Sequence, residues 1–283
     1  MKCGVFLVIL GLGLVTNALQ AGDAGSGSGL KPLWEVGVGV SGLYFPDYRG
    51  SDQGSGYLMP IPYFVYRGDF FKADRNGIRG TLFDNDRLEF NMSLGASLPV
   101  NSNDNRARRG MPDLNLTLEI GPSLDIHLWR AADRRQRLDL RLPVRTAVTV
   151  GDKIEDIGQV FSPRLNLDLD DPAGLTGWHL GMLVGPLYGS ARNHRYFYSV
   201  APQYATADRP AYDADGGYAG TQCLLALSKR FPGFWIGAFA RWDTLQNARF
   251  EDSPLVRSDH YFAAGVGFSW ILGESTQRVE TRD

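Results

Sequence analysis

Cysteine is nearly absent from this 283-residue chain: there are two, Cys3 and Cys223. Cys3 precedes the apolar run that opens the chain, so it cannot be a lipid-bearing cysteine following such a run. With the leader removed Cys223 stands alone, and an intramolecular disulfide is excluded. Neither sign of charge prevails. The 29 Lys and Arg against 31 Asp and Glu give a formal charge of −2, which excludes the basic surface of a nucleic-acid binder. After residue 15 no apolar run approaches the roughly 20 residues that a spanning helix needs. No period of roughly 20–50 residues repeats, which disfavours propellers and solenoids. The four histidines, His127, His179, His194 and His260, are scattered without a close ligand pair, so no metal and no cofactor is expected.

What the chain does have begins at its start. Lys2 precedes "VFLVILGLGLV" (5–15), and small residues follow in "TNALQAGDAG" (16–25), the three regions of a secretory signal peptide. Cleavage is expected near Ala21. Residues 22–33, with "GSGSG" and Pro32, read as a flexible lead-in, 34–272 as the folded body, and 273–283 as a polar tail.

Glycine is abundant, at 34 residues, and aromatics make up 12%. Both suit strands and turns better than helices. The stretch "DLNLTLEIGPSLDIHLW" (113–129) alternates almost without slip: leucines and isoleucines on one face, Asp113, Asn115, Thr117, Glu119, Ser123, Asp125 and His127 on the other. Period two marks a strand with two unlike faces. The same pattern runs through 34–44, 87–98, 137–150 and 162–170, with turn-forming clusters between. Twelve strands are expected, near 34–45, 57–66, 69–82, 86–98, 113–129, 134–150, 156–170, 175–189, 194–201, 218–230, 234–245 and 259–272. The segment 69–82 reads equally as two short strands. Such a split reverses the side on which the "NSNDNRARRG" turn (101–110) lies.

Alternation alone does not say which face is inside, but length does. Soluble strands run to about five or six residues, whereas these alternate for 12–17, as tilted membrane strands do. The polar faces of neighbouring strands also carry mixed charge: Arg137, Asp139, Arg141 and Arg145 on one, Arg164 and Asp168 on the next. Antiparallel pairing sets these rows side by side, as a lumen requires. In the last strand Gly265, Phe268 and Trp270 resemble the C-terminal assembly signal of bacterial outer-membrane barrels. Ala263 stands there in place of the usual polar residue, and the chain continues past the aromatic. The fold expected is all-β, an antiparallel transmembrane barrel of about twelve strands (10–14), with the leucines on lipid.

One segment departs from the alternation, "GPLYGSARNHRYFYSVAPQYATADRPAYDADGGYAG" (185–220). Its tyrosine-rich Tyr196–Val200 stretch is followed by Arg209, Pro210, Tyr212, Gly216, Gly217 and Tyr218. Together with "PDYRGSD" (46–52), "IPYFVYRGDFF" (61–71), "FSPRL" (161–165) and "GVGFSW" (265–270), it resembles the MipA/OmpV family of outer-membrane proteins, in order over about 34–272. The resemblance implies an outer-membrane barrel with no known catalytic residues. The family's namesake brings a murein lytic transglycosylase together with a murein synthase, and other members are described as porin-like or stress-responsive. The expected surroundings are outer-membrane lipid, lipopolysaccharide and the barrel assembly machinery, reached by export.

Each candidate site has a plainer alternative. "GVGVSG" (37–42) fits a dinucleotide fingerprint, but "LYFPDYRG" follows where the chemistry needs a helix N-terminus. Asp125 and His127 share a face with Ser123, a geometry for hydrolase chemistry, yet residues two apart on a strand lie about 7 Å from one another. The loop 201–220, with Tyr204, Arg209, Pro210, Tyr212 and Tyr218, is the candidate partner-binding surface, since Tyr and Arg carry interface energy. The alternative is a self-packed cap over the barrel mouth. "RARRG" (106–110) reads as a solvated turn or as a contact for phosphates or murein carboxylates. Asp113, Glu119, Asp125, Arg137, Asp139, Arg141, Arg145, Arg164 and Asp168 are expected in the lumen. The six tryptophans fall mainly at strand ends, as interface girdles do. Three functions follow: a scaffold for murein enzymes, a narrow pore for small solutes, or a barrel hydrolase.

Overall fold

A computed structural model describes residues 30–74, 77–151 and 153–280. The expected leader, its cleavage site and most of the lead-in lie outside the described residues. The strands described are β1 (Lys31–Pro32), β2 (Trp34–Pro46), β3 (Gly54–Arg67), β4 (Phe71–Asp74), β5 (Gly77–Asp84), β6 (Leu88–Ser97), β7 (Leu116–Arg130), β8 (Gln136–Val150), β9 (Asp156–Phe161), β10 (Arg164–Asp170), β11 (Trp178–Gly189), β12 (Gly217–Phe231), β13 (Phe234–Thr244), β14 (His260–Glu274) and β15 (Arg278–Val279).

From β2 to β14 successive strands pair antiparallel, except that β9 and β10 do not pair with each other. β14 returns to β2, so the sheet closes into a barrel. β9 and β10 are one strand broken at Ser162–Pro163, since both lie between β8 and β11. The barrel therefore has twelve staves, as the alternation predicts, but two of the expected strands differ. The segment 69–82 is a hairpin, β4 and β5. The segment 194–201 is not a strand. Residues 191–198 form a helix, α1 (Ala191–Tyr198), because Ser190 caps it, its hydroxyl accepting from the Asn193 N–H. The split and the loss cancel in the count.

The split also sets sidedness. The first and last described strands, β1 and β15, and the short turns 68–70, 85–87, 131–135, 171–177 and 232–233 share one end. The segments 47–53, 98–115, 190–216 and 245–259 share the other. Barrels of this class carry short periplasmic turns and longer extracellular loops. The 101–110 segment thus stands at the loop end.

Burial settles which face meets lipid. On β14, Val266 is 61% and Leu272 71% exposed, while Ala263 and Ser269 on the opposite row are fully buried. On β7, Ile120 and Leu128 are exposed and Thr117, Ser123 and Asp125 are buried. The apolar row faces out along every long strand, which only a membrane accommodates. No helix among the described residues is long and apolar enough to cross one; the crossing elements are the strands. Trp34, Trp129 and Trp270 ring the turn end and Trp242 the loop end, all exposed. Trp235 is the exception, buried inside against Tyr63 with ring centroids 6.3 Å apart.

The glycines of 37–42 are strand residues. A Cβ at Gly37 or Gly39 would overlap the backbone oxygen of Trp270 or Phe268, so these positions let β2 and β14 lie close where the barrel closes. At the turn end the short strands β1 and β15 pair, Lys31 with Val279 and Pro32 with Arg278. Parts of the expected lead-in and polar tail thereby form a clip beneath the barrel.

Candidate functional site

The interior is built from three layers. At the turn end Glu35, fully buried, accepts from Arg67 Nη2 at 2.9 Å and Arg230 Nε at 2.8 Å. Buried Trp235 and Val65 fill the rest of that layer. Buried ions hold only when paired and hydrogen-bonded, which this triad satisfies. Above it the rows expected from the sequence meet. β8 and β10 pair with Arg137 opposite Asp168 and Arg141 opposite Arg164. Asp139 is hydrogen-bonded to His127 Nδ1 and ion-paired with Arg137 Nε, each at 2.9 Å, and Asp168 accepts from Arg137 Nη2 at 3.1 Å. Arg141 lies 3.5 Å from Asp125, and Arg145 lies 3.5 Å from Glu119.

The third layer is a cap made of the loop-end segments. The ring of Tyr198 at the end of α1 stacks on Phe250 and its hydroxyl donates to Arg49 O at 3.0 Å. His194 Nδ1 lies 2.6 Å from Asp215 O and its ring abuts Phe250. Tyr48 donates to Leu255 O at 2.7 Å, and Ser253 donates to Tyr198 O at 2.6 Å. Burial pushes the Tyr198 phenol up to about 12 and the Tyr48 phenol well above its ordinary range. Burial holds the His194 imidazole below its ordinary value. These directions describe a dry, packed cap. Arg49 reaches down from it to Asp243 at 2.7 Å, where Arg241 also binds.

The candidate residues sort accordingly. Glu119, Asp125, Arg137, Asp139, Arg141, Arg145, Arg164 and Asp168 lie on the interior rows. Asp113 does not. β7 starts only at Leu116, and Asp113 is an exposed loop residue whose Oδ1 accepts from Ser102 N at 2.7 Å. The alternation ran past the strand because Val100 and Leu114 form an isolated bridge just beyond it.

Tyr204, Arg209, Pro210 and Tyr212 belong to the cap, whereas Tyr218 is a strand residue at the start of β12, paired with Tyr188 of β11, its hydroxyl 2.8 Å from Thr221 Oγ1. Arg209 is buried, and its guanidinium donates to Tyr204 O at 2.6 Å and to Ala107 O and Arg109 O at 3.0 Å each. Its charge is spent on binding its own loop to the 106–110 turn. Within that turn Arg108 is buried too, donating to Phe197 O, whereas Arg106 stays exposed beside Asp52. Ser123 donates to Asp125 at 2.6 Å while His127 is held by Asp139, so serine and histidine take separate carboxylates. Gly265 sits under Phe239 and Leu43, which a Cβ would strike, and Phe268 and Trp270 face outward.

Sequence reasoning passed over Glu35, Arg67, Arg230, Arg49 and Asp243. The one available signal was Glu35, a lone acid on the inner row of a glycine-rich strand.

The family model described as MltA-interacting protein MipA matches residues 38–272. No curated protein matches. Among solved structures, the COG4313 outer membrane channel from Pseudomonas putida F1 is 12% identical, with 89% of this chain and 100% of that one covered and a TM-score of 0.43. A bacterial polysaccharide outer membrane secretin is 9% identical, with 84% and 99% covered and a TM-score of 0.39. Outer membrane phospholipase A from Escherichia coli is 12% identical, with 85% and 94% covered and a TM-score of 0.34.

Proposed function

The chain belongs to the MipA family, and from that premise we propose that this outer-membrane barrel is a non-catalytic scaffold for murein-remodelling enzymes, a lytic transglycosylase and a murein synthase. The family's description as MltA-interacting supports the partner class. The observation that carries the reading over a pore is the filling of the interior at both ends. Glu35 and Trp235 are sealed at the turn end, and Leu245, Phe250 and Leu255 at the loop end. A solute would have to break a buried ion triad and unpack a cap to pass along the axis.

Murein and its enzymes lie on the periplasmic side, so docking falls at the turn end. The 201–220 loop, at the opposite end and occupied with its own packing, is left to the cap. At the turn end Arg130, Arg134 and Arg135 are exposed around the 131–135 turn. Exposed arginines suit carboxylate-rich murein and acidic protein surfaces. At the loop end, exposed Arg106 and Arg109 suit lipopolysaccharide phosphates. Gly265, Phe268 and Trp270 suit the assembly machinery.

The test is a photo-reactive residue placed at Arg134 or, as a control, at Pro210, in the native envelope, with adducts identified by mass spectrometry. A lytic transglycosylase or murein synthase joined at 134 and absent at 210 is expected. Adducts only at 210, or none at either position, contradict the proposal.

A further inference from the structure

The barrel wall has a window. β4 is four residues long and pairs with β3 only at Tyr66 and Arg67. Its hairpin with β5 therefore stops low: β4–β5 pairing ends at Asp74 and Gly77, and β5–β6 pairing ends at Arg79 and Ser93. Above that level, among the described residues, no strand pairs with Gly54–Val65 of β3 on this side, nor with Leu94–Ser97 of β6. The loop 98–115 roofs the space, held across it on the 47–53 turn by Asn105 to Asp47 at 2.7 Å and Arg106 to Asp52 at 2.9 Å. The opening is framed on four sides.

Sequence prepares this edge. Arg67 N donates to Leu33 O on the β2 side, so odd-numbered residues of β3 turn their backbone groups to β2 and even-numbered ones to the window. Pro60 and Pro62 are even-numbered. They delete two N–H donors from the middle of an edge that lipid could not satisfy, and they keep another strand from adding there.

The window leads to a cavity of about 350 Å³ in the middle of the barrel. Leu94, Gly95, Ala96, Ser97 and Leu98 all line it. Consecutive strand residues point to opposite faces, so all five border one cavity only where it reaches the unpaired edge of β6. Leu224 and Phe239 make part of its wall apolar, and Arg141, Arg145, Arg164 and Arg241 face it. Arg141, Arg145 and Arg241 each have a carboxylate nearby. The Arg164 side chain makes no hydrogen bond or ion pair among the described residues, and its Nε is shut from solvent. It stands opposite Arg141, a second cation. The Asp125 carboxylate acts on Arg164 only through space; an interior cation with no counter-ion in contact is costly, and an anion in the cavity removes that cost.

We propose that the window admits an acidic, single-tailed amphiphile from the surrounding leaflet, its head on Arg164 and its tail along Leu94, Leu98, Leu224 and Phe239. The head is a carboxylate or a phosphate monoester. The first would come from free fatty acid, the second from a lysophosphatidate-like molecule.

Purified full-length protein in non-ionic detergent is titrated calorimetrically with dodecanoate, dodecyl phosphate, dodecanol and inorganic phosphate. One equivalent of dodecanoate or dodecyl phosphate binds, at least tenfold tighter than dodecanol, and the tighter of the two acids names the source. Arg164→Gln, checked for folding by heat-modifiable electrophoretic mobility, weakens that acid at least tenfold, and Arg164→Lys restores part of it. Leu98→Trp, which fills the rim, slows uptake from nanodiscs without touching the head site. Dodecanol binding as tightly as the acids overturns the proposal, as does an unchanged Arg164→Gln, an absence of binding, or inorganic phosphate binding as tightly as dodecyl phosphate. Unchanged uptake in Leu98→Trp overturns the window as the route.

Discussion

The rings of Tyr198 and Phe250 lie 3.6 Å apart at their centroids and within 7° of parallel. One residue ends α1 and the other belongs to the 245–259 segment, so this stack joins two of the loops that close the barrel mouth. Phe250 is fully buried.

Phe250→Ala should therefore open the cap while leaving the barrel standing. Removing a buried Phe side chain costs about 3–5 kcal/mol, here charged mainly to the cap. The check is limited proteolysis. Cleavage within 201–216 is expected to rise at least tenfold, with heat-modifiable mobility unchanged.

Glu35→Gln should weaken the barrel itself. The change leaves Arg67 and Arg230 facing a neutral group in a buried layer, at a cost on the order of 3 kcal/mol. Residual bonds of Arg67 to Pro32 O and of Arg230 to Glu274 soften the loss. A lower urea midpoint for unfolding from lipid, with an unchanged slope, is the expected result.

The cap should loosen in acid. His194 is held below its ordinary value of 6.5 by burial, with Arg49 nearby acting in the same direction. The folded state thus binds fewer protons than the unfolded state below pH 6.5. Stability rises with pH through that window, is fully present above 6.5 and drains away as pH falls toward the lowered value. Hydrogen exchange of 191–216 is expected to accelerate between pH 7 and 5, after correction for intrinsic rates. His194→Gln, which keeps a donor for Asp215 O, should flatten that dependence.

Gly39→Val should stop the barrel from closing. Its Cβ would overlap Phe268 O and the Ser269 side chain on β14, at the seam between the first and last long strands. Loss of the folded, heat-modifiable species during refolding is the expected result, whereas Val40→Leu on the lipid face should fold normally.

The barrel was legible in the sequence because period-two alternation survives wherever one face meets lipid and the other the interior. β7, β8 and β14 show it over most of their length. Two elements escaped it. In 194–201 a dense run of aromatics alternates by chance, and what decides the backbone is Ser190, one hydroxyl placed to cap a helix. In 69–82 the run continues through a hairpin, because Phe70, Phe71, Leu82 and Phe83 are all exposed at its open end and the reversal between Asp74 and Gly77 is only two residues long. The interior charges could be assigned to the lumen but not to partners, since partner choice depends on register between strands. Arg209 shows the limit most plainly. An arginine among tyrosines reads as a binding surface, and only the fold reveals that it binds its own backbone.

The most direct test of the closed interior is the conductance of the wild-type protein in planar bilayers. Insertion without steady current is the result expected, since the Glu35 triad blocks the axis at one end and the Tyr198–Phe250 cap at the other. A stable ohmic channel, with ion selectivity that shifts on Arg141 or Arg145 substitution, would contradict the account and make the barrel a pore.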